Sequence, residues 1–243
     1  MPKKDYELLQ LGECALRISF GDAADPHLLP KIRGLMELLE KEPFPGYIEC
    51  IPAYASLAIV YDPLLVADSC PGRHAYATVA GIAESLLARH YEAELHGRAV
   101  EIPVCYGGEY GPDLGFVAQY AGLSEKEVVQ IHTDGTYLVH MIGFSPGFPY
   151  LGGMDPRIRA PRRRTPRAAI PARSVGIAGN QTGAYPLSTP GGWQIIGRSA
   201  IELFRPEAKE PSLLRVGDSV RFRAVSEAEY LAIRRGDVWA SGS

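Results

Sequence analysis

Residues 142–197 constrain the fold of this chain more than any other part of it. Glycine and proline recur throughout the segment, yet apolar and aromatic residues lie among them. It carries six arginines between Arg157 and Arg167 and no acidic residue after Asp155. A flexible linker is polar and poor in aromatic residues. The segment therefore predicts ordered, sharply bent backbone lined with guanidinium groups, which suits a small anionic or amide-bearing ligand or a closely fitted partner protein.

The composition is that of a mildly acidic globular protein. The chain has 243 residues, enough for two compact units, and its 25 basic and 28 acidic side chains give a formal net charge of -3. That balance argues against general binding of polyanions. The four cysteines form no CxxC pair, which predicts reduced, structural thiols. Without a secretory signal or a run of about 20 apolar residues, we expect a cytoplasmic protein that does not enter membranes.

The first part of the chain, residues 1–95, alternates strand and helix patterns. Apolar residues show strand spacing in a hairpin, and an apolar stripe with helical period follows Asp25-Pro26 and stops at Pro43. The predicted elements are a hairpin over 6–20, a helix over 25–42, strands over 47–51 and 57–61, a helix over 75–91 and a strand over 100–104. The order β-α-β-β-α-β predicts a ferredoxin-like α+β domain.

The second part, residues 96–243, has short strands separated by glycine and proline. A short helix is predicted from Pro112 to Gly122, and Ser124 with Glu127 forms a capping box that opens another helix. Ser226 with Glu229 opens a final helix. The predicted strands cover 137–142, 174–178, 193–196, 201–204, 214–216 and 219–222. Short strands separated by glycine and proline predict an all-β closed barrel with a few short helices.

Residues 143–147 match the GxSxG pattern of a serine-hydrolase nucleophile elbow. The elbow needs a helix directly after the serine and an oxyanion donor from the N–H of the next residue. Here the next residue is Pro146, which has no N–H, and Pro149 would break the helix. We therefore interpret the motif as a rigid turn that presents Phe144, Phe148 and Tyr150.

The candidate binding residues are arginines, amides and aromatic side chains in the same Gly/Pro-rich segment. One or two of the arginines are expected to clamp a carboxylate or phosphate, and the others to lie on a solvated basic loop. A Gly-bounded loop over 179–185 offers amide and phenol groups, and Trp193 is either a core residue or a platform at the mouth of a pocket. The candidates for substrate binding or a subunit interface are Arg162, Arg163, Arg167, Gln181, Tyr185, Trp193, Phe144 and Phe148.

Several other site classes are not supported by the sequence. The arginine run has no interleaved aromatic residues, which argues against nucleic acid. His132 and His140 lack metal-ligand spacing, so no metal site is predicted. For Asp113 we expect charge complementarity at a helix N-terminus rather than acid–base catalysis. A P-loop is absent, and no catalytic residue is assigned.

Five motifs, taken together, resemble one known family. They are Gly-Glu-Tyr-Gly-Pro-Asp-Leu (108–114), Met-Ile-Gly-Phe-Ser-Pro-Gly-Phe-Pro-Tyr-Leu-Gly-Gly (141–153), the proline-arginine run, Ala-Gly-Asn-Gln-Thr-Gly-Ala-Tyr-Pro (178–186) and Pro-Gly-Gly-Trp-Gln-Ile-Ile-Gly-Arg (190–198). Nearly the whole sequence is similar to the family of 5-oxoprolinase B subunits. That family includes the KipI-type kinase inhibitors, was formerly named allophanate hydrolase subunit 1, and matches carboxyltransferase subdomains C and D of urea carboxylase.

The resemblance implies an α/β domain, a cyclophilin-like barrel and a role in an enzyme complex. The implied partners are a KipA-like protein, which is the C subunit of that enzyme, and a LamB/YcsF-type subunit. The implied reaction is the ATP-dependent opening of 5-oxo-L-proline to L-glutamate. ATP with Mg would serve the assembled complex, and the chain alone would be inactive.

Two alternatives to this function stay open. One is an inhibitor that docks on a sensor histidine kinase, and the other is a carboxyltransferase part acting on urea or a related amide. The sequence also does not decide whether ATP binds to this chain, to the KipA-like partner or between them.

Overall fold

The chain divides into two compact units, Met1–Leu95 and His96–Ser243, called here the sheet unit and the barrel unit. The computed structural model describes residues 5–21, 27–89, 91 and 97–236. None of the helices in these ranges is long and apolar enough to cross a membrane. All four cysteines have free thiols.

The sheet unit contains a four-stranded antiparallel sheet in the order β1-β2-β4-β3. Its strands are β1 Glu7–Leu11, β2 Ala15–Ser19, β3 Tyr47–Ala53 and β4 Ser56–Tyr61. Its helices are α1 Leu28–Lys41, α2 Pro63–Ser69 and α3 Ala75–Ala88. Period-two alternation points the buried side chains of β2 and β4 toward one face, where residues of α1 and α3 complete a single apolar core.

Most predicted elements of the sheet unit are confirmed, with two differences. The predicted start of α1 at Asp25-Pro26 lies outside the described residues. Helix α2 was not predicted, although Asp62 carries its signal: the carboxylate accepts hydrogen bonds from the backbone N–H groups of Leu64 and Leu65.

The ferredoxin-like arrangement is not confirmed. It requires the strand predicted over 100–104 to join the first sheet. That strand belongs instead to β5, Ala99–Tyr106, which pairs with strands of the barrel unit. Without it, the described elements of the sheet unit follow the order ββαββαα, in which the hairpins β1–β2 and β3–β4 join through the pairing of β2 with β4.

The barrel unit is built on seven strands that close on themselves, counted within the described residues. They are β5, β6 Tyr137–Ile142, β7 Pro149–Gly152, β9 Ser174–Ala178, β10 Gln181–Ala184, β12 Gln194–Ser199 and β13 Ser219–Ala224. Around the barrel they follow the order β10-β7-β6-β13-β5-β12-β9, and β9 pairs with β10 to close it. Only the β5–β13 pair is parallel among these ladders. Strands β8 Arg167–Ile170 and β11 Thr189–Gly191 form a separate two-stranded sheet.

Helices and apolar segments fill the remaining volume of the barrel unit. Helix α4, Leu114–Ala121, ends at Gly122 with a φ of 68°, and α5, Glu125–Asp134, begins with the predicted capping box of Ser124 and Glu127. Helix α6, Glu227–Arg235, begins at Ser226 and ends at Gly236. The predicted strands over 201–204 and 214–216 are wrong. Ile201, Leu203 and Leu214 are buried in the core, but the segments form no ladder beyond one isolated bridge.

A chain of polar groups runs through the barrel core at His132. Thr182 Oγ1 donates to the carbonyl of Gly176, so it accepts from His132 Nε2–H, 2.8 Å away. His132 Nδ1 then accepts from the hydroxyl of Tyr106 at 2.7 Å. Burial lowers the pKa of His132 to about 3, so the imidazole is neutral and its two hydrogen bonds fix one tautomer.

Candidate functional site

A pocket walled by aromatic side chains lies on the barrel unit, and we call it the aromatic pocket. Its volume is about 310 Å³, at the lower end of the range typical of small-molecule sites. The lining residues are Phe144, Phe148, Tyr150, Arg162, Tyr185, Pro190, Gly191, Gly192 and Trp193. These residues come from the β6–β7 loop, β7, the segment before β8, the segment after β10, and β11 with the residues that follow it.

Phe148 is the centre of the aromatic cluster. Its ring lies edge-to-face against Phe144, Tyr150, Tyr185 and Trp193, with ring centroids separated by 5.3 to 5.7 Å. Edge-to-face contacts between buried rings fix their orientation as well as their position. Phe148, Tyr185 and Trp193 are buried, whereas Phe144 is 65% exposed, so the pocket has a rigid floor and an open rim.

Tyr185 brings a hydroxyl group into this apolar surface. Burial raises its pKa to about 12, against the opposing effect of nearby Arg162, so the phenol stays protonated at neutral pH. Among the described residues its hydroxyl has no hydrogen-bond partner, which leaves a donor available to a ligand. A Cβ atom at Gly191 would lie 2.8 Å from this oxygen, so glycine is needed where the phenol packs.

Two of the candidate arginines are held by Asp113. Arg163 Nη1 and Arg167 Nη2 donate to Asp113 Oδ1 at 3.1 and 2.8 Å, and the backbone N–H of Ile195 donates to Oδ2 at 2.7 Å. Asp113 stands at the start of α4 but makes no capping hydrogen bond there. Its predicted position at the helix N-terminus is confirmed, and the carboxylate also fastens the arginine run to α4 and β12.

Further hydrogen bonds make this run an ordered part of the barrel unit. The backbone N–H of Arg163 donates to the carbonyl of Gly192 at 2.7 Å, and the Gln194 side chain donates to the carbonyl of Pro161 at 2.8 Å. Arg162, in contrast, has no hydrogen-bonded or ion-paired partner among the residues that the structure describes. It is exposed at the edge of the aromatic pocket, where its charge opposes the burial that raises the pKa of Tyr150.

A second pocket, the arginine pocket, is lined by the same run and shares Arg162 with the aromatic pocket. Its volume is about 730 Å³. The lining residues are Asp113, Phe116, Tyr120, Pro161, Arg162, Arg163, Arg164, Thr165 and Gln194. Phe116 and Tyr120 lie one helical turn apart on α4, with rings stacked at 6.2 Å and 45% and 57% exposed. Arg162 lines both pockets and thus forms part of the wall between them.

The structure brings most, but not all, of the predicted site residues together. Phe144, Phe148, Arg162, Tyr185 and Trp193 line the aromatic pocket, whereas Arg163 lines the arginine pocket. Arg167 lines neither and bonds to Asp113 and the Trp193 carbonyl. Gln181 also lines neither: it begins β10, and Tyr185 follows the end of that strand, about 13 Å away along an extended chain.

Three aromatic residues of these pockets were not among the binding candidates from the sequence. Tyr150 was predicted as part of the rigid turn, not as a binding residue, and it lies in β7, a strand that was not predicted. Phe116 and Tyr120 have a spacing of four residues in a predicted helix, which indicates a shared helix face, but nothing local shows that this face is exposed.

Ser145 does not form a nucleophile elbow. Its loop joins two strands, β6 and β7, whereas an elbow joins a strand to a helix. The Ser145 hydroxyl is buried and has no hydrogen-bond partner among the described residues, and Phe144 before it has a φ of 66°. Strained backbone at an exposed pocket rim is a recurrent feature of ligand sites.

Concave, adjoining pockets with aromatic walls and exposed guanidinium groups are typical of a protein that binds small molecules. The family model for the carboxyltransferase domain, subdomain C and D, matches residues 6–214. The B subunit of 5-oxoprolinase from Bacillus subtilis is 50% identical over 232 residues, which is 94% of this chain and 97% of that protein. The chain therefore belongs to the family of carboxyltransferase subdomains C and D, as its motifs indicated.

Solved structures agree with this family. The crystal structure of TTHA0988 aligns with a TM-score of 0.75 and 36% identity over 87% of this chain and 40% of that one, so our chain spans about two fifths of its length. The K. lactis urea amidolyase aligns with a TM-score of 0.79 over 98% of this chain and 16% of that one. Its identity is 19%, so this likeness shows a shared fold alone.

Proposed function

We propose that this chain is the B subunit of an ATP-dependent 5-oxoprolinase. The observation that carries the proposal is the 50% identity to a B subunit of that enzyme, which extends over nearly the full length of both chains. The likeness to the K. lactis urea amidolyase, at 19% identity, concerns the fold and carries no argument for a urea substrate. The chain would act in the cytoplasm with a KipA-like C subunit and a LamB/YcsF-type subunit, and would be inactive alone.

The aromatic pocket suits 5-oxo-L-proline, a five-membered lactam with one carboxylate. Its aromatic walls match the ring methylenes, and the free guanidinium of Arg162 can hold the carboxylate with two parallel hydrogen bonds. The protonated hydroxyl of Tyr185 can donate to the lactam oxygen. Arg163 and Arg167 would support this site indirectly, because Asp113 already engages them.

The cost of opening a lactam explains the need for ATP. The lactam oxygen forms a bond to the γ-phosphorus, the bond from that phosphorus to ADP breaks, ADP keeps the electron pair, and the ring nitrogen releases its proton. Water then adds to the activated carbon, and the carbon–nitrogen bond breaks as the nitrogen takes up a proton. A second water hydrolyses the resulting acyl phosphate to glutamate and phosphate. The positive charge of Arg162 beside the ring stabilises the transferring phosphoryl group.

In this scheme, magnesium would be bound to the phosphates of the nucleotide. Within the described residues, no group of three or more His, Cys, Asp or Glu side chains could hold a metal ion. Mg²⁺ is commonly bound by phosphate oxygens, water and one or two carboxylates. The proposal therefore assigns no metal ligand to this chain.

The proposal is tested by reconstitution with the two partner proteins encoded in the same genome. The complex is expected to form glutamate and ADP from 5-oxoproline and ATP, and the single chain is expected to form neither. Arg162→Gln should raise the KM for 5-oxoproline by about tenfold or more, the loss expected for one charge-assisted hydrogen bond. Arg159→Gln is the matched control, because Arg159 is exposed in the same run and lines neither pocket.

Failure of the complete complex to consume 5-oxoproline would contradict the proposal. Hydrolysis of urea or a related amide instead would favour the carboxyltransferase alternative. Inhibition of a sensor histidine kinase from the same organism, with no hydrolysis, would favour the inhibitor alternative.

A further inference from the structure

The arginine pocket combines two features that one class of ligand uses together. Its aromatic side is the exposed, stacked pair of Phe116 and Tyr120 on α4. Its polar side is the run of Arg162, Arg163 and Arg164. A ligand with a flat π-system and a polyanionic group could therefore stack its π-system on the aromatic side and bind its anionic group at the arginines.

Within the described residues, the protein neutralises only part of the positive charge of this pocket. Asp113 is the acidic residue among its lining residues, and that carboxylate already accepts hydrogen bonds from both Arg163 and Arg167. Within the described part of the chain, Arg162 and Arg164 have no carboxylate partner. Two guanidinium groups with unused donors thus face an open space of about 730 Å³.

We propose that the arginine pocket binds a purine nucleoside triphosphate. Its base would stack on Phe116 and Tyr120, and its phosphates would be bound by Arg162 and Arg164. The γ-phosphate would lie at Arg162, next to the aromatic pocket. This inference rests on the proposed function, because it places the nucleotide of that reaction.

The shared position of Arg162 is the main geometric argument. Phosphoryl transfer needs the γ-phosphorus in direct contact with the lactam oxygen, so the two ligands must occupy adjoining spaces. The aromatic pocket, at about 310 Å³, is the smaller space, and a nucleoside triphosphate is several times larger than 5-oxoproline. A guanidinium has five N–H donors, so one arginine can contact the carboxylate of one ligand and the phosphate of the other.

Photolabelling tests the location of the nucleotide independently of turnover. The assembled complex is irradiated with 8-azido-ATP and Mg²⁺, and the protein is digested with trypsin. We expect the label in the peptide of residues 99–126, which contains both stacked rings. Excess ATP should abolish the labelling. A label confined to a partner protein, or to other peptides of this chain, overturns the inference.

A pair of conservative substitutions tests the recognition of the base. The double variant Phe116→Leu with Tyr120→Leu keeps an apolar surface but removes both π faces. It should weaken binding of a non-hydrolysable ATP analogue, measured by calorimetry on the complex, by about tenfold, the size expected for stacking of one base. The KM for 5-oxoproline should not change. Arg164→Gln should also weaken binding of the ATP analogue, whereas Arg159→Gln should leave that binding unchanged.

The outcomes separate this inference from the proposed function. If the complex hydrolyses 5-oxoproline while the leucine variant binds the analogue normally, the nucleotide site is elsewhere and only this inference fails. If that variant instead loses its partner proteins, the face is a protein interface and the inference also fails. If the nucleotide is bound and labelled as expected but 5-oxoproline is not consumed, the proposed function fails and the site remains.

Discussion

The buried imidazole of His132 makes the stability of the barrel unit depend on pH. The folded protein keeps this side chain neutral down to a pKa of about 3, whereas the ordinary value is 6.5. The unfolded chain therefore binds a proton that the folded chain does not as the pH falls below 6.5. The free energy of unfolding should decrease by about 1.4 kcal/mol per pH unit from this group as the pH falls from 6.5 toward 3.

The variant His132→Leu should lose this pH dependence of the free energy of unfolding. We expect it to be less stable than the unaltered chain at pH 8, because Tyr106 and Thr182 lose their partner, but to have a flatter stability profile between pH 6.5 and 4. Urea denaturation at a series of pH values measures both effects. His74→Gln, at an exposed position, is the control and should leave the slope unchanged. An unchanged slope in the leucine variant would show that His132 is not the proton-binding group.

Arginines that are close together in the run have different hydrogen-bond partners. This difference limits how much of the site could be predicted from the sequence. Composition correctly indicated that the run is ordered, whereas the binding of an anion by one or two of its arginines stays a prediction. Composition could not indicate which arginines these are, because the partner of Arg163 and Arg167 is Asp113, some fifty positions earlier in the chain. Gln181 was a candidate from its Gly-bounded loop, but the direction of β10 takes it away from Tyr185.

At the scale of elements, Asp113 holds α4, β12 and the arginine run together. Asp113→Asn should break the two ion pairs and loosen residues 161–167, at a cost of about 1.5–3 kcal/mol, the range for hydrogen bonds to charged groups. Limited digestion with trypsin should then cleave after Arg162, Arg163 or Arg164 several-fold faster. Asp155→Asn is the control, since it releases only Arg157. Equal digestion rates for the two variants would contradict the role of Asp113 as a clasp.

Elements with strong local signals were predicted well, and elements defined by long-range pairing were not. The capping box at Ser124 and the strand patterns of β6 and β9 match the structure. Strands β7, β8, β10 and β11 are three or four residues long and rich in glycine, proline or small residues, so their ladders depend on partners elsewhere in the barrel unit. The apolar segments over 201–204 and 214–216 were predicted as strands because they are apolar. They are buried in the core without forming strands.

At the scale of the whole molecule, each unit has a hydrophobic core of its own. The sheet unit is centred on residues such as Leu57 and Ile59, and the barrel unit on residues such as Val104 and Val139. A fragment of residues 96–243 should therefore fold by itself and unfold in one cooperative thermal transition. Near-ultraviolet circular dichroism and scanning calorimetry measure this. A fragment with helix and strand signals but no near-ultraviolet signal would show that its packing needs the sheet unit.

The parallel pairing of β13 with β5 has a consequence for how this protein is made. β5 is the first strand of the barrel unit to leave the ribosome and β13 is the last, and β13 also pairs with β6. Until β13 emerges, the nascent sheet keeps two unpaired edges, at β5 and β6, which are open to association with other chains. Ribosome-bound chains arrested before residue 219 should thus remain protease-sensitive and recruit chaperones, whereas chains long enough to expose residue 224 outside the exit tunnel should become resistant.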